Sequence, residues 1–236
     1  FVPLAPSWVI SEKYRIVATW KKVPGSDRLQ PTVLTISESE LELYKAKKGA
    51  TVVDSRVVDP FDANRSWSVE ALRGAEGLRR WSNDDVVPRP GDVFQERLYC
   101  IRWINAKGER RYAAPDAADL ARETKVMELL RERFAVWQRE GFIPSKVIPE
   151  NGDETARLYR ERGWTHWHHL FTPRQLLMLG LAFREFCARS NSKELASYAL
   201  VSMGSLSDFN SKLCVWQSGL AKSGGIGAFV NTFLNQ

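Results

Sequence analysis

The chain has 236 residues, 44% of them apolar and 26% charged, with a formal net charge of +6 and three cysteines. That is the composition of an ordinary globular protein long enough for one large core or two smaller ones. Apolar runs fall short of the ~18 residues of a membrane-spanning helix, and the widely spaced, odd-numbered cysteines Cys100, Cys187 and Cys214 argue against a disulfide framework and for a reducing, cytoplasmic setting.

Residues 1–115 read as β-rich. Tyr14–Trp20 alternates in part and is enriched in β-branched and aromatic residues, Val23–Asp27 has turn composition, and Thr32–Ile36 is the expected return strand of a hairpin. Ser37 with Glu40 three residues later is a capping box that starts a short helix ending near Lys45–Lys48. Thr51–Val53 and Arg56–Val58 are short strand candidates, and 59–90 reads as irregular apart from a helical turn at Val69–Arg73. Phe94–Ile104 is expected to be the longest strand, with a turn at Asn105–Gly108 and a return at Glu109–Ala113.

After Pro115 the period changes from two to about 3.6 residues. Asp116 is expected to cap a helix reaching Glu140, with a stripe of Leu120, Met127, Leu130, Phe134 and Trp137, ended by Gly141. A polar loop (145–153), a short helix (154–162) and an aromatic–imidazole knot follow. Thr172-Pro173 opens a helix apolar nearly all round, so its burial is expected. Another helix spans 192–206, then a Gly/Ser-rich loop (218–227), and the last nine residues read as part of an amphipathic helix. The fold class expected is α+β: a β-rich domain over 1–115 and a helical domain over 116–236. The chain does not begin with Met, and its last residues stop inside a helical pattern, so a fragment of a longer protein is expected.

Three groups of residues bear on chemistry. All three histidines, His166, His168 and His169, lie within four positions, but no nearby carboxylate or cysteine completes a tetrahedral set, so no metal site is expected. The bland alternative is a packed corner built on Trp164, Trp167 and Phe171. Cys100 and Cys187 sit in apolar settings and read as core thiols, and Asn83–Asp85 reads as a turn. Arg97, Arg102, Arg110 and Arg111, with Tyr112 and neighbouring aromatics, place guanidinium groups and rings on one hairpin, a pattern able to track a phosphate backbone and stack bases. The excess of nine Lys/Arg over five Asp/Glu between Lys13 and Arg56 is compatible with the same partner. The alternative is a solvated face over a core of Phe94, Leu98 and Trp103.

Three stretches carry a resemblance to a known family: Trp81-Ser-Asn-Asp-Asp-Val-Val-Pro-Arg-Pro-Gly-Asp-Val-Phe-Gln-Glu-Arg-Leu-Tyr-Cys-Ile-Arg-Trp103, the segment Gly163–Phe171 with the following Thr-Pro-Arg-Gln-Leu-Leu, and Asp208-Phe-Asn-Ser-Lys-Leu-Cys-Val-Trp216. Together they resemble the large bacterial adenine-specific DNA methylases that carry a zinc ribbon and occur near phage-defence genes. The resemblance implies a parent with a Rossmann-like methyltransferase core that uses S-adenosylmethionine. Its glycine-rich cofactor loop and zinc-ribbon cysteines would precede this segment and its Asp-Pro-Pro-Tyr motif would follow it. No catalytic residue, and no cofactor, is then expected within the chain. The stretch Asp59-Pro-Phe-Asp62 has the outline of a cofactor loop but lacks the glycines that such a loop needs between Phe61 and Arg73. The segment itself would position double-stranded DNA while its helices dock on the remainder of the polypeptide. The alternative is a scaffold for that remainder, or for other phage-defence proteins, with no DNA contact.

Overall fold

The computed structural model describes residues 2–26, 29–46, 48–190, 192–208, 210–216 and 229–230. The architecture is α+β, with antiparallel sheets in the N-terminal half and helices concentrated in the C-terminal half. Two compact units account for most of the chain, one of 1–75 and 97–117, the other of 76–96 and 118–215.

The first unit is organised by a meander of β1 (Val9–Ser11), β2 (Ile16–Lys22) and β3 (Leu29–Thr35). Register runs from Ile16 opposite Thr35 to Lys22 opposite Leu29. Side chains of a strand alternate between faces, and both faces of β2 are covered. Ile16 and Ala18 pack with Trp8 and Ile10, while Val17 packs with Val9 and Leu41. Leu41 belongs to α1 (Glu38–Lys45), which begins as its sequence dictates: the Ser37 hydroxyl accepts from the Glu40 backbone N–H, and the Glu40 carboxylate accepts from the Ser37 backbone N–H at 3.0 Å. Thr51, fully buried, accepts from the Ala5 N–H at 3.0 Å, and the Trp8 indole donates to the Gly49 carbonyl at 2.8 Å. These bonds tie the N-terminal segment to the loop after α1. A second meander of β4 (Val52–Val53), β5 (Arg56–Asp59) and β6 (Asp62–Ser68) leads into α2 (Val69–Arg73), capped by Ser68. A seven-residue strand therefore occupies a stretch expected to be irregular; its register with β5, from Arg56 opposite Ser68, supplies the ordering that composition did not show.

Strand β7 (Ile101–Ile104) pairs with β8 (Arg110–Ala113). The strand expected from Phe94 starts only at Ile101, because the return segment offers partners for four residues and no more.

In the second unit, α3 (Ala117–Glu140) and α5 (Pro173–Arg189) share a core of Leu130, Phe134, Trp137, Leu176 and Leu177, joined by Val86 and Ile143. Gly180 lets α5 approach α3: a Cβ there would lie 2.7 Å from the Trp137 ring. The expected α3 stripe holds from Met127 onward, but Leu120 is exposed and Asp119 is buried in its place. Asp119 precedes Trp137 by about five turns of ~3.6 residues, so it is the in-line position, and it forms an ion pair with Arg122. Helix α5 starts at Thr172 with a capping box to Gln175 and Pro173 in its first turn, yet it is not buried all round. Leu176, Leu177 and Gly180 face the core, whereas Met178, Leu181 and Phe186 are exposed. Cys187, expected in the core, is exposed for the same reason. Helices α4 (Asp153–Arg162) and α6 (Lys193–Asp208) complete the unit. The loop expected at 218–227 and residues 231–236 of the expected terminal helix lie outside the described residues, and Phe229–Val230 are extended strand rather than helix. Among the described residues no helix is long and apolar enough to cross a membrane.

Candidate nucleic-acid interface and the histidine hub

The β7–β8 hairpin is closed by Asn105, whose side-chain carbonyl accepts from the backbone N–H groups of Lys107 (3.0 Å) and Glu109 (2.9 Å). Gly108 takes φ = +78°, a conformation that favours glycine. At the base, Tyr112 and Cys100 pack on the Trp8–Ile10–Ile16–Ala18 core, and the Tyr112 ring lies 6.0 Å from that of Tyr14. Burial pushes the Cys100 thiol up to about 11, so it stays protonated and unreactive near neutral pH. Toward the tip, Trp103, Ile104, Lys107, Arg110 and Arg111 are exposed.

Register decides which of the five sequence-selected residues act together. Directly opposed residues share a face. Trp103 opposite Arg111 forms one face, while Arg102 opposite Tyr112 and Ile104 opposite Arg110 form the other. Arg110 and Arg111 therefore flank the tip on both sides rather than lining one track. Tyr112 is used in the core. Arg97 lies before the strand, and its guanidinium donates to the Leu29 carbonyl and stands 6.0 Å from the Trp20 ring. It braces β3. The geometry thus leaves Arg110 and Arg111, with Lys107 and the Trp103 ring, as a basic, partly aromatic tip.

The Gly163–Phe171 knot is a structural junction. Gly163 ends α4 at φ = +73°, its carbonyl accepts from the Trp81 N–H at 2.8 Å, and a Cβ would sit 2.1 Å from the Arg79 carbonyl oxygen. The Thr165 hydroxyl donates to the Trp81 carbonyl at 2.6 Å, and Ile148 N–H donates to the Thr165 carbonyl at 2.9 Å. Trp164 is buried with Trp81, Ile148, Leu158, Tyr159 and Leu170, and Trp167 packs beside them. Phe171 touches this cluster and the α3–α5 cluster, joining the two.

The histidines follow from that frame. Trp167–Leu170 is a single tight 3₁₀ turn, so His166 and His168 do not alternate along a strand. His169 is fully buried; its Nδ1 accepts from the N–H groups of Thr165 (3.1 Å) and His166 (3.2 Å), which leaves Nε2–H to donate to the Ser82 carbonyl at 3.1 Å. Both nitrogens are committed to backbone. His166 Nδ1 is 2.8 Å from the Thr165 hydroxyl, which already donates to Trp81, so the ring donates here. His168 is fully buried against Phe134, with the Gln138 amide 3.5 Å from Nδ1. The carbonyls of Pro144, Asp85 and Asn83 surround its ring, although Nε2 has no aligned partner among the described residues. Burial pushes His168 down to about 4 and His169 to about 3, and also lowers His166. The rings are neutral packing elements near neutral pH. Among the described residues no group of three His, Cys, Asp or Glu side chains is placed to hold a metal ion.

Sequence reading missed the polar brace beneath this knot. Asp85 accepts from Arg79 (2.8 Å), from Arg89 (2.7 Å) and from the Ser82 N–H (2.7 Å). Asp92 receives Arg79 through two nitrogens, at 2.6 and 2.7 Å. Burial alone would raise Asp85, but the hydrogen bonds from Arg89, Arg79 and Ser82 outweigh it and hold the carboxyl well below the usual range. Hydrogen bonding to Arg79 likewise lowers Asp92. The cue was present in the spacing of Arg79, Asp85, Arg89 and Asp92, but it reads equally as a polar turn.

The Asp59-Pro-Phe stretch forms the β5–β6 turn. Asp59 accepts from the Phe61 N–H at 2.9 Å and Asp62 from the Asn64 N–H at 3.0 Å. Both carboxylates are thus bonded to backbone two residues on. The chain matches no protein-family model, no curated protein and no solved structure.

Proposed function

We propose that this chain is a non-catalytic segment of a DNA adenine-N6 methyltransferase that positions double-stranded DNA through the tip of the β7–β8 hairpin. The observation that carries this reading is the pairing of exposed Arg110 and Arg111 with Ile104 and Trp103 on a hairpin whose base is anchored in a core. Guanidinium groups on a rigid element supply phosphate contacts that fix register on the duplex, and an adjacent indole adds a stacking surface. The resemblance of Trp81–Trp103, Gly163–Leu177 and Asp208–Trp216 to the methylase family supports the same assignment. In this reading S-adenosylmethionine binds elsewhere in a cytoplasmic parent protein, and methyl transfer occurs there. The test is duplex binding by fluorescence anisotropy with Arg110→Glu/Arg111→Glu. Both side chains are exposed, so the fold should persist while affinity falls at least tenfold; unchanged affinity would overturn the assignment.

A second reading, a scaffold that binds the remainder of the polypeptide or a phage-defence partner, is favoured by α6. Between Leu195 and Ser207 that helix has no charged residue, and Tyr198 and Val201 are each more than 70% exposed. Water-facing apolar patches of this kind mark interaction surfaces. Tyr198→Asp and Val201→Asp should weaken co-elution with the separately expressed remainder of the methyltransferase without altering DNA affinity. Retained co-elution would exclude this surface.

A further inference from the structure

The Lys212 side chain is 8% exposed. Its ammonium lies 4.9 Å from the Trp81 ring centroid and 5.4 Å from that of Trp164. The two indoles meet at 72° with centroids 6.4 Å apart, so they form two walls of a corner. Glu96 closes a third side, with a carboxylate oxygen 2.7 Å from Nζ. An ammonium group has three N–H donors. Here it makes one close ion pair, without the alignment of a hydrogen bond among the described residues, and its remaining charge lies over two π faces, which attract cations.

The walls and the occupant come from different segments. Trp81 is fixed by its N–H to the Gly163 carbonyl, by the Thr165 hydroxyl on its own carbonyl, and by the His169 ring at 5.2 Å. Trp164 is held at the end of α4 and is 5% exposed. Lys212 belongs to the turn after α6. There its backbone N–H donates to the Leu170 carbonyl at 2.7 Å and Leu213 packs on the hub cluster. Both indole walls are thus held by hub residues, and Lys212 reaches them from a separate stretch of chain.

We propose that Trp81, Trp164 and Glu96 form a receptor for a primary alkylammonium group, filled in cis by Lys212, which latches the chain after α6 onto the histidine hub. The close approach to Glu96 favours a compact ammonium head over a quaternary one. A quaternary ammonium keeps the π contacts, but its methyl groups hold the charged nitrogen farther from the carboxylate than the 2.7 Å seen here. Shortening the lysine opens the same corner to an alkylammonium ion from solution.

The test is chemical rescue of Lys212→Ala in the full chain. Propylammonium replaces the atoms removed, from Cγ to Nζ. Thermal midpoint and tryptophan emission are read against propylammonium, with 1-propanol, tetramethylammonium and sodium chloride of equal ionic strength as controls. The variant should melt below the wild type and regain part of the loss saturably with propylammonium at millimolar concentration. The controls, the wild type and Lys212→Ala/Glu96→Gln should not respond in that way. No saturable response, or an equal one to 1-propanol, overturns the proposal. Should Lys212→Ala fail to fold, proton NMR of the wild type decides: ring currents from two indoles should move the Lys212 ε-methylene protons upfield of the other lysines, and an ordinary position overturns the proposal.

Discussion

Gly163 offers the sharpest test of how the hub is built. A Cβ there would lie 2.1 Å from the Arg79 carbonyl oxygen and 3.2 Å from its carbon. Alanine must also hold the left-handed conformation, which costs about 1 kcal/mol. Gly141 provides the control: its φ is +82°, but nothing lies within 4 Å of an added Cβ. Gly141→Ala should therefore cost only the conformational term, about 1 kcal/mol. Gly163→Ala has to displace the Arg79 backbone as well. That shift disturbs a guanidinium bonded to both Asp85 and Asp92, and it disturbs the Trp81–Gly163 hydrogen bond. Adding about 2–3 kcal/mol for a distorted buried network puts the whole near 3–4 kcal/mol. Urea unfolding followed by tryptophan fluorescence measures both variants on one scale. If the two alanine variants unfold within about 0.5 kcal/mol of each other, the close approach of Gly163 to Arg79 is not a constraint and the description of the hub fails.

Other consequences concern acid stability and packing. His168 and His169 have folded values below their unfolded value near 6.5. The unfolded chain therefore takes up protons that the native rings refuse, and stability falls as pH drops from about 6.5 toward 4. His168→Leu should flatten that limb by about one proton in the pH dependence of the urea midpoint; an unaltered slope would show that His168 titrates freely. Asp85 and Asp92 are also depressed, so their contribution is complete above the ordinary carboxylate value near 4 and is lost only at lower pH. Asp85→Asn should destabilise by about 2–3 kcal/mol at pH 7, because Arg79 and Arg89 lose their shared partner, and the cost should shrink in acid. Trp164→Ala should cost about 3–5 kcal/mol, the range for a large core aromatic; a loss under about 1 kcal/mol would contradict its burial.

What the sequence disclosed was local. The Ser37–Glu40 box, the Thr172-Pro173 start and the stripe from Met127 to Trp137 are all carried by residues no more than ten apart, and each appears where its spacing placed it. Features set by distant partners were not legible. Phe94–Cys100 has the composition of a strand, but among the described residues no partner strand reaches it, and Arg97 is committed to the carbonyl of Leu29. Helix α5 is apolar nearly all round, yet only one side meets α3. Of the hairpin residues, alternation alone could not tell Tyr112, drawn into the core, from Arg111 at the surface. That distinction needed the register and the packing of Tyr112 against the β1–β2 cluster. The knot at Gly163–Phe171 was conspicuous from its composition. Its anchoring on Trp81, Ser82 and the Arg79 brace, some 80 residues earlier in the chain, was not.

The measurement that bears most directly on the proposed DNA contact is the salt dependence of duplex affinity. Each phosphate neutralised contributes about 0.9 to the slope of log affinity against log salt. The wild-type chain should bind duplex DNA with a steep negative slope, and Arg110→Ala/Arg111→Ala should reduce its magnitude by about 2 while leaving the urea midpoint unchanged. An affinity independent of salt, or a slope identical in the double variant, would remove the hairpin tip from DNA and leave the apolar face of α6 as the working surface of the chain.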